Sequence, residues 1–233
     1  VIFTPSCFLD TIDPKKHIMI NGFKELAYLS PKYFHPDPTV LDRAGIKRDE
    51  KFIIVRFISW AASHDVNLHG IKAGDDIDFV KSLERYNRVI ITSERPLPES
   101  LETRRLKIPP EDLHSLLYYA SLYIGEGGTM ATEAAVLGTP AIHIEATREN
   151  VASGSFSGNY QDLRNRYDLL YFYPDERQAL VKGSEILENP DSKKEWQEKR
   201  ARLINEKIDV TSWMTDFIEQ YPDSLLKYRR SHV

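Results

Sequence analysis

The chain of 233 residues is 41% hydrophobic, enough to bury a substantial core as one large domain or one domain with extensions. Its formal charge of −4 excludes a general nucleic-acid binder, which would carry a strong basic excess, and its single cysteine, Cys7, excludes an internal disulfide framework. No apolar run approaches the roughly 20 residues that span a bilayer, and no signal peptide opens the sequence, so a soluble cytoplasmic protein is expected.

The first 50 residues are interrupted by Pro5, Pro14, Pro31, Pro36 and Pro38; "VIFTPSCF" is a possible short strand, and residues 29–46 look like a tether ending in a helical turn. From residue 51 the pattern changes. "KFIIVRFIS" is β-branched and almost continuously apolar, a buried-strand signal. "DDIDFVKSLERY" places Ile77, Phe79, Val80 and Leu83 on one side of a helix. "NRVIITS" is a second strand, and "LKI" at 106–108 a short third. "PPEDLHSLLYYA" predicts a helix with acidic residues in its first turn, where the dipole favours them. "LYIGE" is a strand, "TMATEAAVLG" a helix closed by Gly138, and "PAIHI" another strand. A small-residue loop at 153–159 precedes the helix "YQDLRNRY" and the last strand, "DLLYFY"; helices follow near 175–188, 191–208 and 210–220.

Strands alternating with helices predict a doubly wound α/β domain: a parallel sheet of about six strands with the 51–58 strand central. In such sheets ligands bind beyond the carboxyl ends of the strands. That rule selects the loops at 59–72, 93–105, 108–111, 125–129 and 145–160.

Gly127 and Gly128 stand at one of those carboxyl ends, immediately before a helix. Three readings fit them: a tight turn, a place where backbone meets a phosphate at the helix N-terminus, or close helix packing. Glu133, about one turn into that helix, could accept hydrogen bonds from a ribose or serve as a cap. Neither GxxxxGK[ST] nor GxGxxG occurs, so an ordinary ATPase or dinucleotide dehydrogenase is not expected. In "RFISWAASHDVNLHG", Arg56 ends a strand and His64 lies in the loop above it; both could clamp a diphosphate. His64, Asp65 and His69 are metal-ligand types, but H-D-x3-H fits no familiar zinc spacing and Mg²⁺ wants more oxygen ligands, so no metal is expected. His143 reads as a hydrogen-bonded core histidine, "YDLLYFY" as core, "SKKEWQEKRARLINEK" as a solvated helix face, and "SGSFSGNY" as a loop that could touch a sugar or simply link elements.

"GEGGTMATEAAVLGTPAIHI" resembles the C-terminal domain of GT-B-fold enzymes, among them UDP-N-acetylglucosamine 2-epimerases and the lipid II N-acetylglucosaminyltransferase. The resemblance implies the second half of a GT-B architecture and a nucleotide-sugar site. Glu133 matches the family's ribose-binding glutamate, Gly127, Gly128, Thr129 and Met130 its phosphate-facing turn, and the segment near Ile108 and Pro109 would receive the base through backbone contacts. A closer likeness is to a GT-B-like family of unassigned activity that carries "KELAYL", "RF…W…SHD" and "GGTMATEAA", here at 24–29, 56–65 and 127–135. The sequence departs from the epimerases at Thr132, where they carry the first of two glutamates, and only echoes their next motif in "TREN".

The resemblance also implies domain limits: residues 1–50 as an interdomain segment from a missing N-terminal domain, 51–208 as the nucleotide-sugar-binding domain, and 209–233 as a helix returning toward the missing half. Residues 1–30 should then lie beside the helix near 210–220. The expected partner is a nucleoside diphosphate sugar, UDP-linked, with no cofactor and with catalytic residues unassigned; polysaccharide or glycoconjugate biosynthesis is the implied setting. The competing expectation is a non-catalytic binding or assembly module that keeps only the architecture.

Overall fold

The computed structural model describes residues 1–61, 67–72 and 74–231. Its strands are β1 (Ile2–Pro5), β2 (His17–Ile20), β3 (Phe52–Phe57), β4 (Leu68–His69), β5 (Arg88–Ser93), β6 (Leu122–Gly125), β7 (Ala141–Ile144), β8 (Ala146–Thr147) and β9 (Leu170–Tyr173). The helices are α1 (Leu26–Leu29), α2 (Thr39–Arg43), α3 (Asp76–Glu84), α4 (Glu99–Glu102), α5 (Leu113–Tyr119), α6 (Gly128–Val136), α7 (Gly158–Asn165), α8 (Glu176–Glu188), α9 (Ser192–Glu206), α10 (Val210–Glu219) and α11 (Asp223–Ser231).

Five strands form one wholly parallel sheet in the order β5-β3-β6-β7-β9. The near-continuous apolar runs read from the sequence are these strands, and β6 and β7 are buried along their whole length, as a sheet covered on both faces requires. The doubly wound α/β class holds; two details differ. Phe52–Phe57 is not central: the chain leaves β3, lays β5 on one side, then crosses back to lay β6 on the other, so β6 takes the middle. Residues 106–108 form no strand. The chain there makes a single parallel bridge between Ile91 and Arg105, closed by Ile91 N–H to Arg104 O and Leu106 N–H to Ile91 O at 2.8 Å each. β1 and β2 pair in a separate parallel ribbon, and β4 and β8 in a short antiparallel one.

α6 is the most buried helix, with every residue from Met130 to Val136 inside. Its small side chains let it lie close between the sheet and its neighbours, so a carboxylate at position 133 is largely enclosed by the fold itself. Gly138, at φ 73°, ends it as expected.

The amino-terminal segment and α10 are neighbours, as expected. Thr211 Oγ1 donates to Ala27 O at 2.5 Å, Ile208 N–H to Asn21 O at 3.0 Å, and the Phe3 ring stands edge-on to Trp213 and Phe217 at 5.8 and 5.2 Å. Among the described residues no helix is long and apolar enough to cross a membrane.

Candidate functional site

The crossover from β5 to β6 makes a topological switch point between β3 and β6, the place where doubly wound sheets open a crevice at their carboxyl ends. A cleft of about 630 Å³ lies there. Arg56 and Ile58 come from the end of β3, Gly127 to Met130 and Glu133 from the start of α6, Lys24 and Glu25 from the turn before α1, and Asn159 and Tyr160 from α7.

The floor is built by backbone constraints that the glycines satisfy. Gly125 sits at φ 146° opposite Arg56, where a Cβ would come within 2.4 Å of the Arg56 carbonyl oxygen. Gly127 adopts φ 87° and opens α6, whose first N–H groups have no side-chain cap, at residues that line the cleft. A Cβ on Gly128 would stand 1.9 Å from the Tyr160 hydroxyl. The tight turn and the close approach are therefore both present, at successive residues.

Glu126, between them, was not singled out from the sequence. It is fully buried and its carboxylate accepts from the backbone N–H of Ile58 and of Ile71, each at 2.8 Å. One side chain thus ties together both ends of the segment above β3. Burial pushes its pKa up, against those two hydrogen bonds.

Glu133 lies in the second turn of α6, too far along to cap it, and lines the same cleft as Gly127 and Gly128. Its Oε1 accepts from the Tyr28 hydroxyl at 2.9 Å and lies 3.1 Å from His114 Nε2. Arg56 forms an ion pair with Glu94, which follows β5. Glu25 is buried on the same wall, pushed above the usual carboxylate range by burial first and by the nearby Glu133 charge as well.

Of the residues expected at the site, Arg56, Gly127, Gly128, Thr129, Met130 and Glu133 share this cleft. Ile108 does not line it; the side chain packs, partly buried, against the hydrophobic core. His64 and Asp65 lie outside the described residues, and His69 pairs through Nε2 with Asn150 Oδ1 at 3.2 Å. The "SGSFSGNY" loop reaches the cleft through Asn159 and Tyr160. His143 is a core histidine but not a hydrogen-bonded one. Neither ring nitrogen has a partner among the described residues, Glu145 Oε2 being 3.8 Å from Nε2, and burial lowers its pKa to about 4.

Sequence reasoning missed Glu25, Glu94 and Glu126 as parts of this region. A faint signal existed for two of them: an acid directly after an apolar strand, as in "LYIGE" and "VIITSE", stands at the ligand end of a parallel sheet. Glu25 carries no such mark, because its place depends on how the amino-terminal segment folds back over α6.

Solved structures with the same architecture include a candidate UDP-N-acetylglucosamine 2-epimerase from Listeria monocytogenes, 13% identical over 90% of this chain and 55% of that one, with a TM-score of 0.51. The wall teichoic acid polymerase TagF, as its H444N variant with CDPG, is 14% identical over 93% and 54% of the two chains, at a TM-score of 0.49. The glycosyltransferase SsfS6 of Streptomyces sp. SF2575, complexed with thymidine diphosphate, is 12% identical over 74% and 43%, at 0.44. The likeness to the Listeria protein is one of fold, a Rossmann-like domain of the GT-B kind, and the chain spans about half the length of the chains it matches. No curated protein matches it. The match of residues 11–152 does reach a family, and the chain belongs to it: the family described as protein of unknown function (DUF354).

Proposed function

We infer that the cleft binds a nucleoside diphosphate sugar, UDP-linked, and that the chain is the donor-binding half of a GT-B glycosyltransferase or sugar-nucleotide epimerase of polysaccharide or glycoconjugate synthesis. The observation that carries this reading is the convergence of Glu133 and the Gly127–Gly128 turn on one cleft at the switch point of the sheet. The uncapped start of α6 supplies N–H donors and the positive end of a dipole to the diphosphate, and Arg56 adds a guanidinium beside it. Glu133 accepts from the ribose. Residues 51–208 form the nucleotide-sugar domain, with residues 1–50 and 209–233 packed together as the side that meets an N-terminal domain.

A second reading, a binding or assembly module without catalysis, is favoured by the charge of the cleft. Glu25, Glu94, Glu133 and Glu145 face only Lys24 and Arg56 among the described lining residues, and Arg56 is already paired. A thermal-shift panel of UDP, UDP-sugars, CDP and GDP separates the two. A ligand that binds the native state raises the melting temperature by mass action, so the donor-binding reading predicts a concentration-dependent rise with at least one of them. A flat response to the whole panel favours the module.

A further inference from the structure

Glu133 offers a ligand less than its formula suggests. Both of its interactions among the described residues converge on Oε1: the Tyr28 hydroxyl at 2.9 Å and His114 Nε2 at 3.1 Å. Only Oε2 is left to accept from a ligand, so one carboxylate oxygen faces a ribose that presents two adjacent hydroxyls.

A second acceptor stands on the same wall. Glu25 precedes Tyr28 by three residues at the start of α1, a spacing that stacks the two side chains on one side of a helical turn. Tyr28 reaches Glu133, so Glu25 is brought to the same place. Its side chain is 2% exposed, its Oε1 lies 3.7 Å from Lys24 Nζ, and its Oε2 has no hydrogen-bond partner among the described residues. A buried carboxylate oxygen with no donor is destabilising, and native folds seldom keep one without a reason. Burial and the Glu133 charge both push the Glu25 carboxyl above the usual carboxylate range.

We propose that Glu25 is the second hydroxyl acceptor of this cleft, so that the ribose diol of the bound nucleotide donates one hydrogen bond to Glu133 Oε2 and the other to Glu25 Oε2. This rests on the nucleotide reading given above and adds to it a residue and a selectivity: each carboxylate reads one hydroxyl, and a deoxyribose ligand forfeits one of the two bonds. Glu25 contributes nothing comparable to the empty fold, where its orphan oxygen is a cost.

The test is calorimetric titration of the full chain with UDP, 2′-deoxy-UDP and 3′-deoxy-UDP, using wild type, Glu25→Gln, Glu25→Leu and Glu133→Gln. Wild type should bind UDP roughly tenfold more tightly than either deoxy analogue, the loss of one charge-assisted hydrogen bond in each case. Both Glu25 variants should lose discrimination against one analogue and keep it against the other, and Glu133→Gln should show the reverse pattern. Their melting temperatures at pH 7.5 should not fall below wild type, because the variants remove a buried carboxylate oxygen that has no hydrogen-bond donor. If UDP binds and discrimination survives intact in both Glu25 variants, the proposal is overturned while the nucleotide reading stands. A lowered melting temperature with unchanged discrimination assigns Glu25 to the fold and overturns it equally. No binding of UDP to wild type removes both readings.

Discussion

His143 shows how much a single buried ring can bear on the region. It is the penultimate residue of β7, lies T-shaped against the Tyr160 ring at 5.1 Å, has no hydrogen-bond partner among the described residues, and is held neutral by burial, its pKa lowered to about 4. Because the folded pKa lies below the unfolded value near 6.5, its contribution to stability is complete above pH 6.5 and is lost as pH falls toward 4. The shift corresponds to on the order of 3 kcal/mol across that window. His143→Leu, of similar volume, should therefore flatten the decline of stability between pH 6.5 and 4, read from urea melts at several pH values. A slope identical to that of wild type would mean the ring finds a proton acceptor in the folded state.

At the scale of elements, α6 and α7 are fitted to each other through one contact. The Tyr160 hydroxyl occupies the space a Cβ on Gly128 would need, 1.9 Å away, and Tyr160 is itself partly buried against the core. Gly128→Ala should destabilise by about 1 to 3 kcal/mol through overpacking. Tyr160→Phe removes the hydroxyl and moves the nearest atom to the ring carbon 3.1 Å off, so the double variant should recover part of the loss. Strict additivity in the denaturation cycle would place the strain elsewhere. A comparable fitting joins α9 to the end of α5. Lys193 is half-buried and donates to the carbonyls of Tyr118 and Ala120, the latter at 3.1 Å, and to Thr139 Oγ1 at 2.8 Å. Burial lowers its pKa to about 7, yet the three acceptors need its donors. Lys193→Met should remove these three hydrogen bonds and lower stability by about 2 to 4 kcal/mol, checked by chemical denaturation; a neutral outcome would mean water replaces the amine. "SKKEWQEKRARLINEK" reads as a solvated face because charges recur at helical spacing, but the pattern does not reveal that this lysine points inward.

Across the whole molecule, the parallel sheet was legible because each buried strand is a short run of β-branched and aliphatic residues, as in "FIIVRF" and "RVIITS". The strand order was not, since nothing local tells on which side of β3 the chain lays β6. The glycine turn and Glu133 could be placed at one site because they share a single strand-turn-helix stretch. Glu25 and Glu94 were not, because they reach the cleft from stretches distant in sequence, and only the folded backbone brings them there. Ile108 was expected near the base through backbone contacts; its side chain packs against the core and is not among the described lining of the cleft. The central claim is that this cleft takes a nucleoside diphosphate, with Glu133 as a contact rather than a structural residue. Calorimetric titration of UDP into wild type and Glu133→Gln, beside their melting temperatures, tests it most directly. The account predicts saturable binding to wild type, a loss of roughly tenfold or more in Glu133→Gln, and nearly equal melting temperatures without ligand. Equal affinities for a ligand that clearly binds, with a lowered melting temperature in the variant, would contradict it.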